Sequence, residues 1–309
     1  MKPNIDPKVD CVFKALLGSE EHKRLLTDFL NAVLAQDPGI RLQSVELMNP
    51  YNEREFETDK LSVVDVKARD EAGRVYQIEI QLVIHPGLAE RMLHTWCAIY
   101  HRQIQKGQDF SALKPVISIW LLNEPLFNLP GAWHLPFVPY NLEYGLVLSR
   151  DFRIHLLQLT LWPHREQRPD ALDRWMYLFL QGEEVDADAP PAILQTDEMK
   201  EAIDVLRHFS ENEHQYWLYQ QRLEAEHLSA TWQRAVERAE EKIKQAQQEI
   251  KQVQQEKKRA EQEAKLKAEE AERERQEKEL VKQQAECERQ EKERLLALLK
   301  QAGIDPTTV

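Results

Sequence analysis

Cysteine is scarce in this chain, with only Cys11, Cys97 and Cys287 among 309 residues. Their separation excludes a Cys-x-x-Cys clip or a small disulfide framework and suits a reducing compartment. Glycine-built phosphate loops are missing too: neither Gly-x-Gly-x-x-Gly nor a Gly-Lys-Ser/Thr turn occurs. That argues against a dinucleotide enzyme or a P-loop NTPase, and no nucleotide cofactor is expected. A serine hydrolase of the Gly-x-Ser-x-Gly type and paired Cys/His fingers for reading bases also lack their motifs. Long apolar runs are absent. The most apolar stretch, Val116–Leu122, stops at Asn123 and Glu124, far short of the ~20 residues of a membrane span. The opening residues, MKPNIDPKVDCVF, hold no apolar stretch of signal-peptide length. The expectation is a soluble, cytoplasmic protein without a membrane partner.

Positive charge is in deficit as well. The net charge is -12, of which residues 1–210 carry -9 and residues 211–309 carry -3. A polycation that coats nucleic acid by charge alone is excluded. Any nucleic-acid contact needs a local basic patch, a metal ion, or both.

What is present divides in two. Residues 7–209 hold most of the prolines and eight of the nine glycines, mixed with apolar periodicity, and read as globular. Val12, Phe13, Leu16 and Leu17 share the face of a short helix stopped by Gly18. Leu25, Leu26, Phe29, Leu30 and Val33 predict a second helix over residues 19–34, with Ser19 as N-cap and Pro38-Gly39 as terminator. After a turn at Pro50-Tyr51-Asn52, strand-like runs at residues 62–68 and 76–82 flank the polar link 69–74 with its Gly73, a hairpin signal. A helix is expected over 88–106, ended by Gly107. Val116–Leu122 reads as a central strand and 153–161 as another, with a helix at 175–180 and a loop at 183–191.

From about residue 211, Gln, Glu, Lys, Arg and Ala dominate and predict one long helix. Ile243, Ala246, Ile250, Val253, Ala260, Ala264, Ala271, Val281, Ala285, Leu295 and Leu299 fall on one pair of heptad positions. Lys257, Lys267, Glu274, Lys278, Glu288 and Lys292 interrupt the same seam. A weak coiled-coil homodimer and an isolated, charge-stitched helix both fit.

Chemistry concentrates in the hairpin. Side chains alternate with period two, so Val64 and Val66 share one face and Val63, Asp65 and Lys67 the other. In the second strand Ile78, Ile80 and Leu82 share a face, and Gln77, Glu79 and Gln81 its opposite. A turn centred near residues 71–73 sets Asp65 across from Glu79, where directly opposed Cβ atoms lie ~4.5–5.5 Å apart. Two facing carboxylates repel. Hydrated exposure relieves the repulsion in one reading; in the other a divalent cation does. Asp65, Glu79 and the backbone carbonyl of Ile80 offer hard oxygens of the kind Mg2+ accepts while keeping several waters. Gln81, on the Glu79 face, is suited to orient a water or a phosphate oxygen.

The segment DKLSVVDVKARDEAGRVYQIEIQL resembles the core motif of the PD-(D/E)XK nuclease superfamily. It looks most like the branch of recombination-promoting nucleases and transposase-like proteins, in which an Asp strand precedes Glu-x-Gln. VDCVFKALLG resembles that family's N-terminal Asp-x-x-Phe-Lys segment, and LLTDFLNAVL its next helix. RMLHTWCAIYHRQIQKGQDFSALKPVISIWLL resembles its Arg-led helix, Gly turn and apolar strand, and RIHLLQLTLW its later strand. The resemblance spans about the first 210 residues. It implies an α/β restriction-endonuclease-like core, a mixed central sheet flanked by helices, followed by the long C-terminal helix.

Carried over residue by residue, the resemblance implies Asp65 and Glu79 as metal ligands. Gln81 stands where many members of the superfamily place a catalytic Lys, and an amide can be neither a cation nor a tunable acid. Asp10 matches the N-terminal acid as an outer ligand or water orienter; capping the first helix is its alternative. Lys14 lies one helical turn on, as a substitute cation or phosphate contact, or as a surface partner of Asp10. Arg91 is a phosphate clamp or a solvated side chain. His94, Cys97 and His101 lie along one helical face at ligand-like spacing, but partly buried packing beside Trp96 and Tyr100 is the favoured reading.

Two functions follow. One is a Mg2+-dependent DNA endonuclease, with Mn2+ as a possible substitute, linked to DNA recombination or mobile elements. The other is a non-catalytic interaction protein that keeps the nuclease fold and works through its helical tail.

Overall fold

The computed structural model describes residues 4–49, 51–52, 62–63 and 65–301. Val64 and Pro50, named above, lie outside the described residues. The chain separates into two compact units, Met1–Thr231 and Trp232–Val309.

The first unit is built on a six-stranded mixed sheet. Its strands are β1 (Val45–Leu47), β4 (Val66–Asp70), β5 (Val75–Gln81), β6 (Val116–Leu122), β7 (His134–Phe137) and β10 (Phe152–Gln158). Their spatial order is β1-β4-β5-β6-β10-β7. The β5, β6 and β10 strands run parallel, while β4 on β5, β1 on β4 and β7 on β10 are antiparallel. Two short ribbons stand apart from it, β2 (Tyr51–Asn52) with β3 (Ser62–Val63) and β8 (Tyr140–Asn141) with β9 (Leu146–Val147). Parallel strands covered on both faces read as unbroken apolar runs, and all seven residues of β6 are buried.

Strand periodicity sorts the helices onto two faces. Tyr76, Ile78 and Ile80 of β5 and Ile117, Ile119 and Leu121 of β6 pack with α1 (Asp10–Leu17), α2 (Lys23–Val33), α4 (Ala171–Gln181) and α5 (Asp197–Glu211) in one core. At its centre, the rings of Phe13, Phe29, Trp175 and Phe179 meet at centroid distances of 5.4 to 6.1 Å. Truncating one such ring to Ala costs about 3–5 kcal/mol. The opposite face is covered by α3 (Leu88–His101). Leu88 and Met92 lie over Trp120 and Leu122, and Trp96 and Ile99 over Val75 and Val116.

The four apolar residues expected on α1 are all buried, and Gly18 caps the helix. A Cβ on Gly18 would lie 2.9 Å from the Lys14 carbonyl oxygen and 3.3 Å from Val66, so the end of α1 sits tight on β4. Two helices are shorter than their periodicity suggests. Ser19 does not cap α2; its hydroxyl accepts from the Glu21 N–H at 3.2 Å, and the helix begins at Lys23. The α3 helix stops at His101 rather than residue 106. Beyond it, the Gln103 amide bonds both the N–H and the C=O of Lys114 and fastens the connection to the chain entering β6.

Inside the sheet, Arg153 and His155 of β10 reach Asp37, beyond the end of α2, at 2.7 and 3.2 Å. His134 bonds His155 at 3.1 Å, and burial followed by the His155 charge lowers its pKa to about 4.

The α6 helix, Glu213–Gln301, runs from the first unit into the second. Within the first unit, Tyr219 is buried in the core and its hydroxyl accepts from the Asp6 N–H at 3.1 Å. In the second unit every residue with a described side chain is exposed, Ile243, Ile250, Val253, Val281 and Leu295 included. Among the described residues, no helix is long and apolar enough to cross a membrane.

Candidate metal and phosphate site

The β4–β5 hairpin turns where expected. Gly73 takes φ +81°, and Asp70 accepts from the N–H groups of Ala72 and Arg74 and from the Tyr76 hydroxyl. Val66 pairs with Ile78 and Lys67 with Gln77, a register that extends by one residue to Asp65 and Glu79. Asp65 sits at a bend between β3 and β4, not inside a continuous strand. Its carboxylate therefore turns along the sheet and accepts from the Ile80 N–H at 3.0 Å.

Glu79 is only 2% exposed. The expectation of a hydrated hairpin face is thus overturned, because α3 covers the row that Gln77 and Glu79 form with Ser118 and Trp120 of β6. One carboxylate oxygen, Oε1, is buried without a well-aligned hydrogen bond among the described residues, although the neighbouring Gln77 side chain lowers the pKa of the group. The other, Oε2, lies 3.5 Å from Arg91 of α3. Burial first, then the charge of Asp65, raises the Glu79 pKa to about 8, against the lowering influence of Arg91. Burial also raises Asp65, offset by the Ile80 N–H and by Lys14.

Asp10 is not the cap of α1. Val9 holds the N-cap position without a side-chain bond, and Asp10 in the first turn meets Lys14 Nζ at 2.5 Å. The same ammonium lies 3.6 Å from Asp65. Lys14 is therefore more than a surface partner of Asp10: it joins the N-terminal acid to the hairpin acid. Gln81 turns back on its own strand, donating from Nε2 to the Ile80 carbonyl at 3.0 Å. Arg91 stacks over Trp120, with its guanidinium carbon 5.6 Å from the ring centroid.

Asp10, Lys14, Asp65, Ile80, Glu79 and Arg91 thus form one chain of contacts where β4 begins and β5 ends. Trp120 was not among the residues singled out by sequence. Its signal was slight, an aromatic within an otherwise aliphatic strand, and only the register Glu79 to Trp120 reveals its place under Arg91. His94, Cys97 and His101 lie outside the site. All three are exposed, correcting the expectation of partly buried packing, because Met92, Thr95, Trp96 and Ile99 form the inward face of α3.

The donor set suits a hard divalent cation. A buried carboxylate calls for an explanation, and an acid whose pKa is raised both by burial and by a neighbouring acid has a need for positive charge. Among the described residues, no group of three or more His, Cys, Asp or Glu could hold a metal ion. Asp65 and Glu79 would supply two carboxylates, a set that suits a hard divalent cation keeping much of its water. The Ile80 carbonyl, expected as a third ligand, accepts one hydrogen bond from Gln81 and keeps a second lone pair.

The mixed six-stranded sheet with helices on both faces fits a restriction-endonuclease-like fold. The family of PD-(D/E)XK nuclease family transposases matches residues 7–232, and the chain belongs to it. No curated protein and no solved structure matches the chain.

Proposed function

We propose that the chain is a Mg2+-dependent DNA endonuclease, with Mn2+ as a working substitute, serving DNA recombination or mobile elements. The observation that carries this reading is the burial of the Glu79 carboxylate, only 2% exposed, where the charge of Asp65 also acts on it. Asp65 and Glu79 hold the ion. When bound, the ion supplies the charge that makes water nucleophilic at neutral pH and offsets charge developing on a phosphoryl group.

The protein's own residues do the rest. Lys14 and Arg91, with side chains 40% and 46% exposed, lie beside the two acids and contact phosphate. The Trp120 ring lies under the Arg91 guanidinium as a cation–π partner, and the guanidinium fork suits phosphate oxygens. Asp10 anchors Lys14, and Gln81 holds the Ile80 backbone in place. Local cations of this kind let a chain of net charge -12 approach DNA. The three thiols, none in a disulfide, suit the cytoplasm. The seam of α6 pairs two copies of the chain.

One observation favours a second reading. Gln81 occupies the place of the missing Lys and is spent on a backbone carbonyl, as expected of a nuclease fold retained for protein interaction. Incubation of supercoiled plasmid with Mg2+ separates the two. Nicking by the wild type that falls at least about 100-fold in Asp65→Asn and in Glu79→Gln supports the enzyme. Equal nicking by all three proteins sinks this assignment, and no nicking at any metal concentration favours the interaction protein.

A further inference from the structure

We infer that Lys14 is an exchangeable counter-ion: it shares the carboxylate of Asp65 with the divalent ion and is released to substrate phosphate when that ion binds. The inference rests on the reading of Asp65 and Glu79 as metal ligands. Its basis is an asymmetry in the contacts of one ammonium group. Lys14 Nζ is 2.5 Å from Asp10 but 3.6 Å from Asp65, so the first contact is an anchor and the second is loose. Asp10 and Lys14 stand one turn apart on α1, where such a pair forms without help from the sheet. Loss of the Asp65 contact therefore leaves Lys14 tethered at the rim.

A divalent ion on the Asp65 oxygens cannot coexist easily with Lys14 at that distance. Charges of +2 and +1 roughly 4 Å apart repel by enough, even in water, to shift an equilibrium about tenfold or more. The side chain is 40% exposed and has a flexible stem, so it has somewhere to go. The nearest demand for its charge is the phosphate that completes the ion's ligand shell. Gln81, tied to the Ile80 carbonyl, supplies no positive charge there. Metal and DNA binding become coupled, and the coupling must act equally in both directions.

The test uses the full-length chain, Mg2+ titration by calorimetry, and duplex binding by fluorescence anisotropy with and without Ca2+. Lys14→Gln is expected to bind Mg2+ roughly fivefold more tightly than the wild type, because the competing charge is gone. Ca2+ is expected to tighten duplex binding about tenfold in the wild type and less than about threefold in Lys14→Gln, with Lys14→Arg close to the wild type. Mg2+ affinity that is unchanged or weaker in Lys14→Gln makes Lys14 a fixed positioning residue and overturns the inference. If the wild type shows no Mg2+ binding that Asp65→Asn abolishes, the metal reading itself fails and the exchange fails with it. Circular dichroism of each variant separates these results from misfolding.

Discussion

Glu79 carries a conflict that water would ordinarily relieve. Its neighbours in β6 and the cover of α3 exclude solvent, Asp65 adds a like charge, and Arg91 lies too far for a strong hydrogen bond. Its proton affinity is therefore higher in the folded chain than in the unfolded one, where a Glu titrates near about 4.3. Between that value and about 8 the folded state binds the extra proton, so raising the pH through this window destabilises the fold. The loss amounts to a few kcal/mol and levels off above the upper value. Urea denaturation in the presence of a chelator, repeated at several pH values across the window, is expected to show stability falling as pH rises. Glu79→Gln, neutral throughout, is expected to flatten most of that slope. Asp65, shifted in the same direction, leaves a smaller residue of it. A wild-type stability that is level or rises over the same range contradicts the assigned burial. Mg2+ is expected to restore stability most at the alkaline end, because it binds the carboxylate and not the acid.

At the scale of elements, the end of α1 is held by a near approach that only glycine permits. Gly18→Ala places a methyl group 2.9 Å from the Lys14 carbonyl and 3.3 Å from Val66, so the last turn of α1 must move away from β4. The cost is about 1–3 kcal/mol of unfolding free energy. Because Lys14 belongs to that turn, the variant is also expected to weaken duplex binding more than a stability change alone produces; thermal melts and anisotropy measure the two separately. What could be read from the residues here, and what could not, follows the range of the forces. The hairpin register was legible because a polar link with Gly73 and strict alternation favour a pairing that sums to 144, which Val66 with Ile78 and Lys67 with Gln77 follow, while Asp65 itself sits at a bend before the ladder. The burial of Glu79 was not legible, since a polar side chain on an alternating strand says nothing of which helix will cover it. Helix ends missed for a local reason: Ser19 and Gln103 direct their side chains to nearby backbone, an alternative that apolar periodicity does not record. The role of Trp120 arose from the parallel pairing of β5 with β6, a contact between strands well apart in the chain.

For the whole molecule, the question is what an exposed helical extension contributes to a compact core. The apolar seam positions with described side chains from Ile243 to Leu295 are exposed, while Tyr219 and the half-buried Leu223 pack on the core and belong to it. An 89-residue helix with this composition is sustained by Ala, Glu, Lys and Gln, so it does not need a partner to be helical. A partner is needed only to bury the seam. Charged residues at seam positions such as Lys257 and Lys278 weaken that burial and set its register, so a dimer would form reversibly and depend on concentration. A chain truncated after Thr231 keeps Tyr219 and Leu223, and is expected to stay folded and to run as a monomer by light scattering at concentrations where the full chain dimerises. The double substitution Lys257→Leu and Lys278→Leu removes two charges from the seam, and is expected to shift the full chain toward dimer by at least about tenfold in dissociation constant. If the truncated chain still dimerises, the contact lies on the core and the seam is only one face of a solvated helix. If the double substitution leaves the dissociation constant unchanged, residues 257 and 278 do not meet a partner, and pairing through this register is wrong.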